Sequence, residues 1–186
     1  MTTTHRLVPF AALTVLLLAA AHTAHAQPPV PHADVEIDPT AYVLEGYSLH
    51  VGLGWKQLRV DLGTFAIAVP SAIQTNEAFD VSLQGAGVKL QYFPFAEQRH
   101  AFVGVDMIVG RQLVERVGTT MASRDLQVSL GVAAGWRFPI GKQIYATPWI
   151  GVTYGSKIDD VHLAGSTYET KRITVFPAVH LGYRFR

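Results

Sequence analysis

The run Leu126-Gln127-Val128-Ser129-Leu130-Gly131-Val132-Ala133-Ala134-Gly135-Trp136-Arg137-Phe138 decides the fold. Leu126, Val128, Leu130, Val132, Ala134, Trp136 and Phe138 fall on one parity, and Gln127, Ser129, Gly131, Gly135 and Arg137 on the other. Successive side chains of a strand point to opposite faces, so strict alternation over such a length predicts a strand. The run is also longer than the roughly 9–11 residues that a tilted strand needs to cross a bilayer.

The same period recurs on both sides of it. Tyr47, Leu49, Val51, Leu53 and Trp55 oppose Ser48, His50, Gly52 and Gly54. Leu58, Val60 and Leu62 oppose Arg59, Asp61 and Gly63; Ala86, Val88, Leu90 and Tyr92 oppose Gly85, Gly87, Lys89 and Gln91. Ala101, Val103, Val105, Met107 and Val109 alternate with Phe102, Gly104, Asp106 and Gly110. Ile150, Val152 and Tyr154 oppose Trp149, Gly151 and Thr153, and Ile173 to Phe185 closes the series. These are seven strong strands. Short connections at 54–57, 93–99 and 139–142 alternate with longer joins near 66–79, 112–124 and 156–170. Short turns on one side and long loops on the other describe an antiparallel transmembrane β-barrel of about eight strands.

Alternation alone also fits a soluble barrel with its apolar face inward. Three features favour the membrane. Trp55, Tyr92, Phe93, Trp136, Phe138, Tyr145, Tyr183 and Phe185 cluster near the short turns, with Tyr47 and Tyr154 at the far ends of their strands, as two interfacial girdles would require. The charges Arg59, Asp61, Lys89, Asp106, Arg137 and Arg184 all fall on the parity opposite the apolar band, as expected when a mid-depth charge facing lipid costs roughly 2–4 kcal/mol. That opposite parity is rich in glycine, leaving room for Phe102, Trp149 and Phe176 inside a lumen filled by side chains.

Composition agrees. Charged residues are 16% of the chain, against about 25% in ordinary soluble domains. Cysteine is absent, which removes disulfides and thiol chemistry. Residues 1–26 read as a cleaved signal peptide: Arg6, then an apolar run from Leu7 to Ala21, then Ala24-His25-Ala26. Arg6 is the only formal charge before Gln27, so 14 Lys and Arg then face 14 Asp and Glu. A neutral chain offers nothing to nucleic acid.

Residues 27–40 hold Pro28, Pro29, Pro31 and Pro39 and read as an extended leader, with the barrel domain over 41–186. Asp38-Pro39 through Gly46 fits a short helix with Asp38 as N-cap. The same stretch also fits a short strand and a turn, and an eighth strand from 32–44 would complete an even count. A plug with a parallel closing pair is the remaining possibility. Pro148 and Pro177 interrupt strand patterns, so each is expected at a bulge or beside a missing ladder bond.

Leu90-Gln91-Tyr92-Phe93-Pro94-Phe95 before a turn, then Phe102-Val103-Gly104-Val105, and the terminal Val179-His180-Leu181-Gly182-Tyr183-Arg184-Phe185 carry a likeness. Over 46–186 the chain resembles small bacterial outer-membrane barrels of the OmpX and OmpA-barrel type. The resemblance implies an outer-membrane location of the Gram-negative type, an outer-membrane lipid environment, a monomer, and a terminal strand read by the barrel-assembly machinery. Arg186 after Phe185 departs from the usual terminal aromatic residue.

Chemistry is sparse. Ser48 and His50 with Asp61 or Asp106 outline a hydrolytic triad, but residues two apart on a strand lie roughly 6.5–7 Å apart at Cβ, beyond direct proton transfer. His50 and His180 lie at similar heights inside the barrel, yet two histidines fall short of a metal-ligand set. Arg59, Asp61, Lys89, Asp106, Arg137, Arg172 and Arg184 read as a polar plug, or else as an ion path. The joins 66–79 and 155–172 are candidates for an extracellular ligand. No cofactor, metal or catalytic residue is assigned. The expected function is a non-enzymatic barrel serving envelope integrity or surface interaction. A lipid-modifying hydrolase, a narrow pore and a soluble ligand-binding barrel are the alternatives.

Overall fold

The computed structural model describes residues 30–71, 74, 76–95, 98–156 and 159–185. The expected signal peptide therefore lies outside the described residues. Eight strands close into one antiparallel barrel: β1 (His32–Ile37), β2 (Tyr47–Trp55), β3 (Leu58–Ala68), β4 (Phe79–Tyr92), β5 (His100–Arg116), β6 (Ala122–Pro139), β7 (Ile144–Gly155) and β10 (Ile173–Arg184). Each pairs with its sequence neighbour, β10 follows β7, and β1 pairs with β10 to close the ring. The closing pair is antiparallel, with Asp34 opposite Arg184 and Ile37 opposite Leu181.

The registers put the expected parities on the expected faces. In β5, Val103, Val105, Met107 and Val109 are exposed, while Phe102 and Asp106 are buried. Apolar side chains point outward and charged ones inward, the reverse of a soluble barrel. With no water to satisfy a sheet edge in lipid, a closed ring of this kind is the strand solution to crossing a bilayer. The chain is thus a transmembrane β-barrel of the outer-membrane type. The outward apolar band ends where Val109 gives way to Arg111 in β5 and Leu126 to Arg124 in β6. Beyond that height β4, β5 and β6 continue as a protruding wall of 14-, 17- and 18-residue strands.

Several expectations change. The barrel begins at His32, inside the stretch read as a leader over 27–40. Both readings of 32–44 hold in part, since β1 is followed at once by helix α1 (Pro39–Val43). Asp38 caps it by accepting from the Thr40 N–H at 2.9 Å, with Pro39 at its start. The join near 112–124 is a tight turn at 117–121, because β5 and β6 extend past the membrane band with polar outward residues. The join after β7 contains a small hairpin, β8 (Val161–Leu163) and β9 (Ser166–Tyr168). Ala164 (φ 47°) and Gly165 (φ 75°) form its two-residue turn, where both positions need positive φ. Phe93 and Tyr145, assigned above to the girdle, are instead buried inside at 0% and 4% exposure.

The two prolines resolve differently. The β6–β7 ladder pairs Gly135 with Trp149 and Phe138 with Ala146, with Trp136 and Arg137 unpaired between them. The register is the same on both sides, so there is no bulge; the ring nitrogen of Pro148 simply has no proton to give Trp136. At Pro177 the β7 ladder runs unbroken through Pro177–Ile150. Its ring nitrogen therefore faces the other way, toward the β1 side. There β10 is paired only from Leu181 onward, because β1 ends at Ile37 and the chain turns into α1. Each proline thus sits beside a missing ladder bond, as expected, and at Pro177 that gap is part of a seam in the barrel.

Candidate functional site

The lumen has two halves of different chemistry. The half nearer the short turns is filled by charge. β1 sends Asp34 and Glu36 inward, β3 sends Arg59 and Asp61, β6 sends Arg137, and β10 sends His180; all are buried. Arg59 donates through Nε to both Asp34 carboxylate oxygens at 3.1 Å and through Nη1 to Gln91 Oε1 at 2.7 Å. Its Nη1 also lies 2.8 Å from Asp61 Oδ2, and its Nη2 lies 3.3 Å from Glu36 Oε1. Glu36 Oε1 accepts from Arg137 Nη2 at 2.7 Å and from the Tyr145 hydroxyl at 2.9 Å, while Oε2 pairs with His180 Nδ1 at 2.9 Å. Arg137 stacks over Phe93 and Tyr145, with its guanidinium carbon 4.8 and 4.2 Å from the ring centroids. Buried charges persist only where each has partners, and here every cation touches at least one anion.

The expected plug thus exists, with a changed membership. Arg59, Asp61 and Arg137 belong to it. Arg172 does not: it is exposed at the rim, 3.5 Å from the Tyr154 hydroxyl. Asp34, Glu36 and Tyr145 were missed, although Asp34 and Glu36 alternate with Val35 and Ile37 just as the recognised strands do.

The triad does not assemble. His50 Nδ1 lies 2.8 Å from Asp61 Oδ1, so a base and its carboxylate meet. Ser48 Oγ instead accepts from the Asp38 backbone N–H at 3.3 Å, and no Ser48–His50 hydrogen bond occurs among the described residues. His50 and His180 are brought together as their heights imply, with ring centroids 4.6 Å apart. Each is held by its own carboxylate, Asp61 and Glu36. No group of three or more metal-ligating side chains occurs among the described residues.

The outer half of the lumen is more apolar. Phe65, Ile67, Leu83, Ile108 and Phe176 line much of a cavity of about 190 Å³, which is also lined by Lys89, Asp106 and Trp149, by His50, Asp61 and His180 of the plug, and by Arg172 at the rim. The Lys89 ammonium sits 3.6 Å from the Trp149 ring centroid, and Lys89 pairs with Asp106 across the β4–β5 ladder. Above, β8 and β9 reach across the mouth from the β7–β10 side to the lumen face of the protruding wall. Val161 and Tyr168 join Phe79, Val81 and Val114 in a small buried core there. Asn76 donates to the Thr167 carbonyl at 3.1 Å, tying the hairpin to the loop before β4.

No family model matches the sequence, and no curated protein matches it. Several solved structures are similar, among them the following three. Neisserial surface protein A is 17% identical over 85% of this chain and 96% of its own, with a TM-score of 0.47. The N-terminal β-barrel domain of Pseudomonas aeruginosa OprF is 8% identical over 86% and 98%, TM-score 0.45. A major outer membrane protein from Thermus thermophilus is 13% identical over 84% and 100%, TM-score 0.48. At this distance the likeness concerns the fold alone.

Proposed function

We propose that the mature chain, released from a signal peptide over 1–26, is a non-enzymatic outer-membrane barrel closed to ions, serving the cell envelope through its fold and its protruding outer wall. The observation that carries this reading is the ion network joining Asp34, Glu36, Arg59, Asp61, Arg137 and His180 across the inner half of the lumen. A hydrated ion would have to displace buried guanidinium–carboxylate pairs to pass. The 14- to 18-residue strands β4, β5 and β6, topped by the β8–β9 hairpin, supply a rigid surface beyond the membrane for contact with partners.

Planar-bilayer recording tests the closure. Purified protein refolded into lipid should give no stable conductance steps, and steady open steps in the unsubstituted chain would overturn the reading. Lipid hydrolysis has a base and carboxylate in His50 and Asp61, but among the described residues Ser48 is bonded to the Asp38 N–H and makes no hydrogen bond to His50. Lipid A should keep its mass when the protein is expressed; loss of an acyl chain that depends on His50 would reverse this conclusion.

A further inference from the structure

The cavity in the outer half of the lumen carries buried polar atoms that the chain itself leaves unused. Asp106 Oδ1 and Trp149 Nε1 are both buried, and neither makes a hydrogen bond among the described residues. Asp106 is 7% exposed. Both residues line the cavity. One is an acceptor and the other a donor, so a hydroxyl group complements both kinds. The Lys89 ammonium is already engaged with the Trp149 face and lies opposite Asp106, and Asp61, His50 and His180, which also line the cavity, are paired within the plug, so the inner end favours an uncharged head. The walls above are Phe65, Ile67, Leu83, Ile108 and Phe176. The volume, about 190 Å³, is somewhat larger than the ~150 Å³ apolar cavity known to take up benzene.

The route to this cavity is the seam. Among the described residues, Ile173 to His180 of β10 has no strand neighbour on the side away from β7. Between it and β2, among the described residues, stands α1, whose buried Ala41 lines the cavity together with Asp38 and Ser48. Ile173, Val175 and Val179 are exposed on the outer surface of this stretch, within the apolar band. β8 and β9 cross part of the extracellular mouth, where Arg172 at the rim also lines the cavity.

We propose that the outer half of the lumen binds a small neutral amphiphile, an alkyl or aryl alcohol with its hydroxyl at Asp106 and Trp149, drawn from the lipid phase past α1. The chain contains three tryptophans, so Trp55→Phe with Trp136→Phe leaves Trp149 as the only indole. In this background, refolded into phosphatidylcholine vesicles, 6-bromohexan-1-ol should quench Trp149 fluorescence saturably. It should bind at least about tenfold tighter than 1-bromohexane, since buried polar groups discriminate strongly against an analogue lacking their partner. Ile67→Phe and Ile108→Phe, which fill the cavity, should each abolish saturation, and Asp106→Leu should erase the preference for the alcohol. Heat-modifiable mobility in gels identifies folded variants. The comparison of the two bromides needs no cavity variant, so it stands even where one fails to fold. Quenching that rises linearly, equally for both probes and unchanged by either filling variant, would overturn the site. In stopped flow, Ala41→Leu should slow the onset of quenching at least about fivefold with an unchanged plateau; an unaltered onset would overturn the route.

Discussion

The wall of β4, β5 and β6 and the seam at β1, α1 and β10 are made from the same alternating pattern, yet they close the barrel in different ways. In the wall, pairing runs without interruption from Phe79–Arg116 down to Tyr92–Val103 and from Glu115–Ala122 down to His100–Arg137. At the seam, β1 offers six residues, of which Asp34 to Ile37 pair with β10. The inner half is completed there by a strand whose side chains also supply two anions of the plug, Asp34 and Glu36. The outer half is completed by a one-turn helix and apolar contact. A ladder satisfies every backbone group, which lipid demands; a helix end on an open strand edge does not. Pro177 fits that edge because it removes one N–H that would otherwise lack a strand acceptor.

The contrast can be broken most severely at the plug. Arg59→Met leaves Asp34, Glu36 and Asp61 without their common cation, and stability in urea should fall by about 3–5 kcal/mol. A loss below ~1 kcal/mol would mean that β1 is held by its ladder and not by its charges. On the lipid face, Val105→Arg on β5 below the protruding wall should cost roughly 2–4 kcal/mol, while Val43→Arg on α1 should cost at most ~1, as expected near an interface. Val43 is 80% exposed, so burial does not decide this pair; depth does. Equal costs would put α1 at the bilayer centre. The smallest effect separates the prolines. Pro148→Val gives Trp136 a donor and should raise stability by up to ~1 kcal/mol, whereas Pro177→Val, facing the seam, should raise nothing.

Most of the wall is legible in the sequence, because side-chain parity is a local property and lipid penalises every exception to it. The plug is less legible. Arg59, Asp61 and Arg137 announce themselves by falling inward on recognised strands, but Asp34 and Glu36 sit in a segment whose prolines mask a short alternation with Val35 and Ile37. Phe93 and Tyr145 are misplaced when aromatics are sorted by distance from a turn. Parity would have corrected Tyr145, which shares it with the inward Trp149. The Asp38-Pro39 cap is readable because its chemistry is local. The lid is not, since β8 and β9 are three residues each and owe their position to long-range packing on Phe79 and Val114. Nor is the unused pair Asp106 and Trp149, which lie on β5 and β7, strands that are not neighbours.

Amide hydrogen exchange around the ring, followed by NMR in micelles, tests the contrast most directly. Residues of a strand point their N–H groups alternately to its two neighbours. Pro177 faces the seam, and the Phe185 N–H already bonds the Ala33 carbonyl at 2.8 Å on that side. Odd-numbered amides of β10 therefore face β1 or the seam, and even-numbered ones face β7. Val103 to Val109 in β5 should all exchange slowly. In β10, Thr174, Phe176, Ala178 and His180 should be equally protected, while Ile173, Val175 and Val179 exchange at least about tenfold faster. Uniform protection along Ile173 to His180 would contradict the seam and mean a ladder closed over its whole height.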